Sequence, residues 1–239
     1  MVVRRILAAS TGFGLNQRHD WTVGPLVRAA IDLSAHPRTP RLAYLGTAMG
    51  DRVEDVAMVH GAFTGTDVAV SAVRLMPQPN VPDLREALLT QDVIYVGGGS
   101  VAGLLALWRL HGVDQVLREA WDLGIVLTGA SAGSICWHLG GPTDSFGPDL
   151  RVITNGLGFL PYGNGVHYDS EADRRPLLHA AVADGVLPTS YATDNGAALL
   201  YEDTRLFEVL SDRDGASACR IERHGDDVEE IRLDARRIT

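Results

Sequence analysis

Residues 93–96, Val-Ile-Tyr-Val, are apolar throughout and run straight into Gly97-Gly98-Gly99-Ser100. A strand with no polar alternation is covered on both faces, as strands of a parallel sheet are. A helix follows to about Leu110, carrying Leu104, Leu105, Leu107 and Trp108. The same unit recurs at residues 125–128, Ile-Val-Leu-Thr, which run into Gly129-Ala130-Ser131-Ala132-Gly133. Ser134-Ile135-Cys136-Trp137-His138-Leu139 then reads as helix. Apolar strands that each end in a glycine turn and a helix confine the chain to β–α–β winding, with ligands at the carboxyl ends of the strands.

The flanking segments agree. Strands are expected at residues 2–9, 41–45 and 68–75, and helices at 25–35, 52–63, 83–90 and 113–123. The fold class is therefore α/β, a doubly wound and mostly parallel sheet. Beyond residue 151 the pattern changes to short strand and loop, a helix over 174–184, and short antiparallel strands at 189–193, 196–201, 206–210, 216–223 and 228–233. His224-Gly225-Asp226 reads as one hairpin turn. With no repeat, low-complexity tract or linker, residues 1–239 read as a single domain that ends in an antiparallel β layer.

Net charge is −9, which argues against nucleic acid or an anionic membrane as partner. The two cysteines, Cys136 and Cys219, have no metal-ligand spacing, and two fit a reducing cytoplasm. The apolar run at residues 6–9 is too short for a signal-peptide core, and no run approaches a membrane span. Gly98 does not begin a dinucleotide fingerprint, and nothing resembles a zinc motif or a phosphate loop, so no cofactor or metal is expected.

The pattern G-x-S-x-G between strand and helix is the context of a nucleophile elbow, with Ser131 exposed at the strand end. A turn that merely lets a helix pack closely would use the same glycines. The N–H of Ala132 can face a developing oxyanion, and Gly98 or Gly99 supplies a second donor. Among eight histidines, His167 has the most site-like setting, at a strand–loop junction with Asn164, Gly165, Tyr168 and Asp169. His138 lies about two turns along the elbow helix, and His224, in the hairpin turn, would be the base of an esterase-type alternative. A third group should hold the imidazole's tautomer. Asp194, in Thr193-Asp194-Asn195-Gly196, and Asp144, in Pro142-Thr143-Asp144-Ser145, are the two candidates. A non-catalytic binding module is the reading from a different class.

Val96-Gly97-Gly98-Gly99-Ser100, the leucine-rich helix, Gly129-Ala130-Ser131-Ala132-Gly133 and the later Gly165-Val166-His167 together resemble the peptidase E family of aspartyl dipeptidases. The likeness runs from the first strand to about Tyr201. It implies a fold like the class I glutamine amidotransferases, Ser131 as nucleophile, His167 as base, and Gly98 with Ala132 as oxyanion hole. It aligns Asp194 with a family position that commonly holds Glu, and Asp144 with another acidic position. It implies a cytoplasmic dipeptidase acting on peptides with N-terminal aspartate, whose side chain Arg174 or Arg175 would bind, with Ser100 nearby where the family has Asn. A homodimer is compatible with it. The segment between His167 and Arg174 is shorter than in the enterobacterial type. His167-Tyr168-Asp169-Ser170-Glu171 also lacks the Gln-Arg pairing of the related cyanophycinases, which sets that branch aside.

Overall fold

The computed structural model describes residues 2–16, 18, 20–34, 39–225 and 227–239. His19, His36, the expected end of the first helix at Ala35, and Asp226 of the hairpin turn lie outside them. The chain begins with β1 (Arg5–Ala9), a hairpin of β2 (Phe13–Leu15) and β3 (Trp21–Val23), and α1 (Pro25–Asp32). It continues through β4 (Arg41–Leu45), a 3-10 turn (Thr47–Met49), α2 (Val53–Ala62), β5 (Ala69–Val73), α3 (Leu84–Leu89) and β6 (Val93–Val96). Then come α4 (Val101–His111), α5 (Val113–Asp122), β7 (Val126–Ala130) and α6 (Ala132–Ile135). The second half holds β8 (Gly141–Thr143), β9 (Arg151–Ile153), β10 (Gly163–Gly165), α7 (Arg174–Ala183), β11 (Ser190–Thr193) and β12 (Ala197–Glu202). It closes with β13 (Arg205–Ser211), β14 (Ala218–His224), β15 (Asp227–Leu233) and β16 (Ala235–Arg237).

Local chemistry sets these boundaries. Pro25 opens α1, where its missing N–H is not needed. The side chains of Asp83 and Ser100 accept the N–H groups of Glu86 and Gly103, capping α3 and α4. Gly112, at φ 72°, ends α4 and turns the chain directly into α5.

The central sheet runs β16-β13-β12-β1-β7-β6-β4-β5. Strands β1, β7, β6, β4 and β5 are mutually parallel, and β12 joins the β1 edge antiparallel. Successive residues of β6 feed opposite cores. Ile94 and Val96 pack in one cluster with residues of α4 and α5, whereas Val93 and Tyr95 pack in another with Leu26, Ile31 and Val59. Helices thus cover both faces, the doubly wound arrangement expected from the sequence.

The C-terminal strands differ from expectation. They do not form one layer: β12, β13 and β16 extend the central sheet, while β11, β14 and β15 join β10 in a separate four-stranded sheet. The reason is burial, since β12 is buried along Ala197–Tyr201, as a strand inside a sheet must be, while β15 has one wet face. The elbow helix is also shorter than expected. After Ile135 the carbonyls of Cys136, Trp137 and His138 accept N–H groups from Leu157, Leu160 and Gly158, so a distant loop takes over the bonds that would extend the helix. Among the described residues, no helix is long and apolar enough to cross a membrane.

Candidate active site

Strand β7 delivers Ser131 to the middle of the sheet's carboxyl edge, where its N–H bonds to the carbonyl of Ala9 on β1. Ser131 adopts φ 56° and ψ −111°, a conformation that costs a non-glycine residue about 1–3 kcal/mol. The turn needs its flanking glycines for contact rather than for flexibility. A Cβ on Gly129 would lie 2.7 Å from the carbonyl oxygen of Val96, and one on Gly133 would collide with that same oxygen. Strand β6, strand β7 and helix α6 therefore touch backbone to backbone.

His167 reaches the serine from the loop after β10, with Nε2 3.0 Å from Ser131 Oγ. A knot of short bonds places it. Ser10, buried just beyond β1, donates to the carbonyl of Thr193 at 2.8 Å and accepts the N–H of His167 at 3.0 Å. Thr11 accepts the N–H of Gly196 at 3.0 Å. The loop after β1 thus ties the histidine loop to the end of β11.

The partner of the imidazole is Asn195, whose Oδ1 lies 2.6 Å from His167 Nδ1. Neither aspartate expected for this role occupies it. Asp194 turns away, accepting the N–H of Ser217 at 3.0 Å with Arg232 at 3.8 Å, and burial pushes its carboxyl up. Asp144 is exposed in the turn after β8. The orientation of the Asn195 amide follows from its neighbours. Its Nδ2 is 2.9 Å from Ser170 Oγ, and that hydroxyl is 3.3 Å from the carbonyl of His167, which only accepts. Ser170 therefore donates to the carbonyl and accepts from the amide nitrogen, leaving Oδ1 to accept from Nδ1–H. Nε2 is left bare to take the serine proton. The Asn195 backbone is clamped as well: Asp169 accepts its N–H at 2.8 Å, Arg213 donates to its carbonyl at 2.8 Å, and Asp169 pairs with Arg213.

The glycine loop after β6 lies opposite. A Cβ on Gly98 would sit 3.4 Å from Ser131 Cβ, so this backbone faces the nucleophile. The N–H groups of Gly98 and Ala132 have no hydrogen-bond partner among the described residues. Two unpaired donors flanking a serine are what a tetrahedral oxyanion requires.

The remaining candidates do other work. Ser100 caps α4. Arg174 is 2% exposed and donates to the Pro142 carbonyl and to Glu171. Arg175 pairs with Glu230 and lies over the ring of Tyr168 at 4.3 Å. His179 also bonds Glu230, and His224 sits at the exposed hairpin end, 3.2 Å from Glu229. His138 is wholly buried between the Ser134 carbonyl and the Tyr201 hydroxyl. Among the described residues, no cluster of three His, Cys, Asp or Glu is placed to hold a metal.

Fold and site together define an α/β protein with a serine–histidine pair at the switch between parallel strands, the equipment of a serine hydrolase. The chain belongs to peptidase family S51, whose profile it matches over residues 11–209. It is 42% identical over 194 residues to the uncharacterized peptidase YgaJ of Bacillus subtilis, covering 81% of this chain and 83% of that one. It is 28% identical over 159 residues to peptidase E of Shewanella denitrificans, covering 57% and 67% respectively. The crystal structure of a peptidase from an acI-B1 Actinobacterium superposes with a TM-score of 0.67 at 16% identity, over 97% of each chain, and shares the fold. The peptidase E family expected from the glycine loop, elbow and histidine is borne out.

Proposed function

We propose that the protein is a serine peptidase that hydrolyses dipeptides or very short peptides, with the cytoplasm as its place of work. Ser131 attacks the scissile carbonyl while His167 Nε2 takes its proton. The N–H groups of Gly98 and Ala132 hold the oxyanion. His167 returns the proton to the leaving amine, and water then releases the acyl group by the same route. Asn195 keeps the imidazole in the tautomer that makes this possible. The observation that carries the reading is the 3.0 Å Ser131–His167 contact at a strained strand end beside two unpaired N–H donors.

Ser131→Ala should lower kcat/KM on a dipeptide panel by at least ~10³-fold and abolish labelling by a fluorophosphonate. Undiminished hydrolysis rejects the assignment. An N-terminal aspartate is the preference the family resemblance suggests. A carboxylate needs a free cation, and Arg174 and Arg175 are both engaged elsewhere. We therefore expect Asp-X to exceed Ala-X and Asn-X by less than about tenfold in kcat/KM, with Arg175→Ala leaving the ratio unchanged.

A further inference from the structure

Two phenols reach the same strand ends from the face opposite α4 and α6. Tyr44 on β4 and Tyr95 on β6 are each 4% exposed, and their rings stack at 6.2 Å. Neither hydroxyl has a hydrogen-bond partner among the described residues, and neither is among the buried polar atoms sealed from solvent. Two largely buried tyrosines whose hydroxyls stay open side by side, with no protein partner among the described residues, offer a ligand two hydrogen-bond acceptors.

Their position points to the substrate. A Cβ on Gly97 would lie 2.9 Å from the Tyr44 hydroxyl and one on Gly46 3.3 Å from it. A Cβ on Gly12 would collide with the Tyr95 hydroxyl. Three glycines thus leave room for the phenols. Gly12 follows β1 and Tyr95 lies on β6, the two strands that flank β7. The Tyr95 hydroxyl thus meets the loop that follows β1, while Tyr95 itself pairs with Thr128 of β7, three residues before Ser131. Gly97 adjoins Gly98 of the oxyanion loop. In a dipeptide the amino nitrogen is only two bonds from the scissile carbonyl carbon, so its receptor belongs beside the nucleophile, and the loop Gly97–Gly98 touches both Tyr44 and Ser131.

We propose that the hydroxyls of Tyr44 and Tyr95 accept the substrate's α-ammonium group, an inference that rests on the peptidase reading above. The local field has the right sign. Burial first, and then the charges of Asp55 and Asp51 against the opposing Arg52, push the Tyr44 phenol up to about 12. The carboxylates that disfavour a phenolate favour a cation at the same oxygen. Asp51 is 3% exposed; its Oδ2 accepts two backbone N–H groups, and its Oδ1 has no hydrogen-bond partner among the described residues.

The test separates this inference from the peptidase assignment by reading binding where turnover is removed. In the Ser131→Ala protein, calorimetry compares Ala-Ala with propanoyl-alanine, which lacks only the amine. The dipeptide should bind at least about tenfold more tightly, and adding Tyr44→Phe and Tyr95→Phe should erase the difference. Each single Tyr→Phe change is measured too, so a folding failure of the pair does not hide the answer. Equal affinity for the two ligands, or an unchanged difference after both substitutions, overturns the proposal. Hydrolysis of Ala-Ala by the wild-type protein is scored separately. Amine-selective binding without hydrolysis rejects the peptidase and keeps the ammonium site, and hydrolysis without amine selectivity does the reverse.

Discussion

Asn195 holds His167 Nδ1 at 2.6 Å, and its amide does part of what a carboxylate would do. It fixes the tautomer but brings no charge to an imidazolium forming at His167. The residue next to it, Asp194, spends its carboxylate on the Ser217 N–H. The two are separable by substitution. Asn195→Ala should lower kcat about 10²-fold with little change in KM, because only proton transfer is affected. Asp194→Ala should leave kcat within about threefold but lower the thermal midpoint, because the Ser217 N–H loses its acceptor. The opposite pattern would restore Asp194 to the histidine. The strand-end position of Ser131 is legible in the sequence because its glycine spacing is local, whereas His167 stands out from the other histidines mainly through the family resemblance. Asn195 is not legible there, because its assignment depends on which way the chain turns after Thr193. That turn is set by Ser10, Thr11, Asp169 and Arg213, all distant in sequence from Asn195.

At the scale of elements, the elbow works because β6, β7 and α6 are closer than side chains allow. Gly133→Ala would drive a methyl group into the Val96 carbonyl, and α6 must then move away from β6. Overpacking of this kind should cost about 1–3 kcal/mol in urea unfolding and slow the labelling of Ser131. Wild-type stability with wild-type labelling would show that the glycine is not needed for contact. A second joint lies at the base of the histidine loop. Glu230 on β15 accepts from Tyr168, at 2.7 Å, and from His179, at 2.7 Å, and pairs with Arg175. Burial opposes its ionisation, but these three partners hold its carboxyl below the usual range. Glu230→Ala should therefore loosen α7 from β15 and cost about 1–3 kcal/mol, read as faster hydrogen exchange in α7. Most element boundaries in the first half were readable from apolar runs and the turn residues between them, but the hairpin of β2 and β3 was not. The early end of α6 and the split of the C-terminal strands were not, since each depends on a partner segment distant in sequence.

Across the whole molecule, the core on the α4–α6 face of the central sheet encloses the imidazole of His138. It is fully buried, with Ser134 of the elbow helix at 2.9 Å and Tyr201 of β12 at 3.2 Å, so it links the active-site helix to the central sheet. Burial lowers its pKa from 6.5 to about 4, which the Ser134 carbonyl only partly opposes. Between those values the unfolded chain binds a proton that the folded chain refuses. Stability must then fall as pH drops through this window and be fully present above it. At pH 4.5 the loss amounts to about 2–3 kcal/mol. Other groups titrate over the same range, and the net charge of −9 shrinks, which relieves self-repulsion and works in the opposite direction. Those contributions are common to a His138→Gln variant, so the difference between the two proteins isolates the histidine. Urea unfolding at pH 7 and pH 4.5 should show the wild-type protein losing about 2–3 kcal/mol more than the variant. Equal losses would mean that His138 is protonated within the fold, and that the link between α6 and β12 is not the dry contact its burial describes.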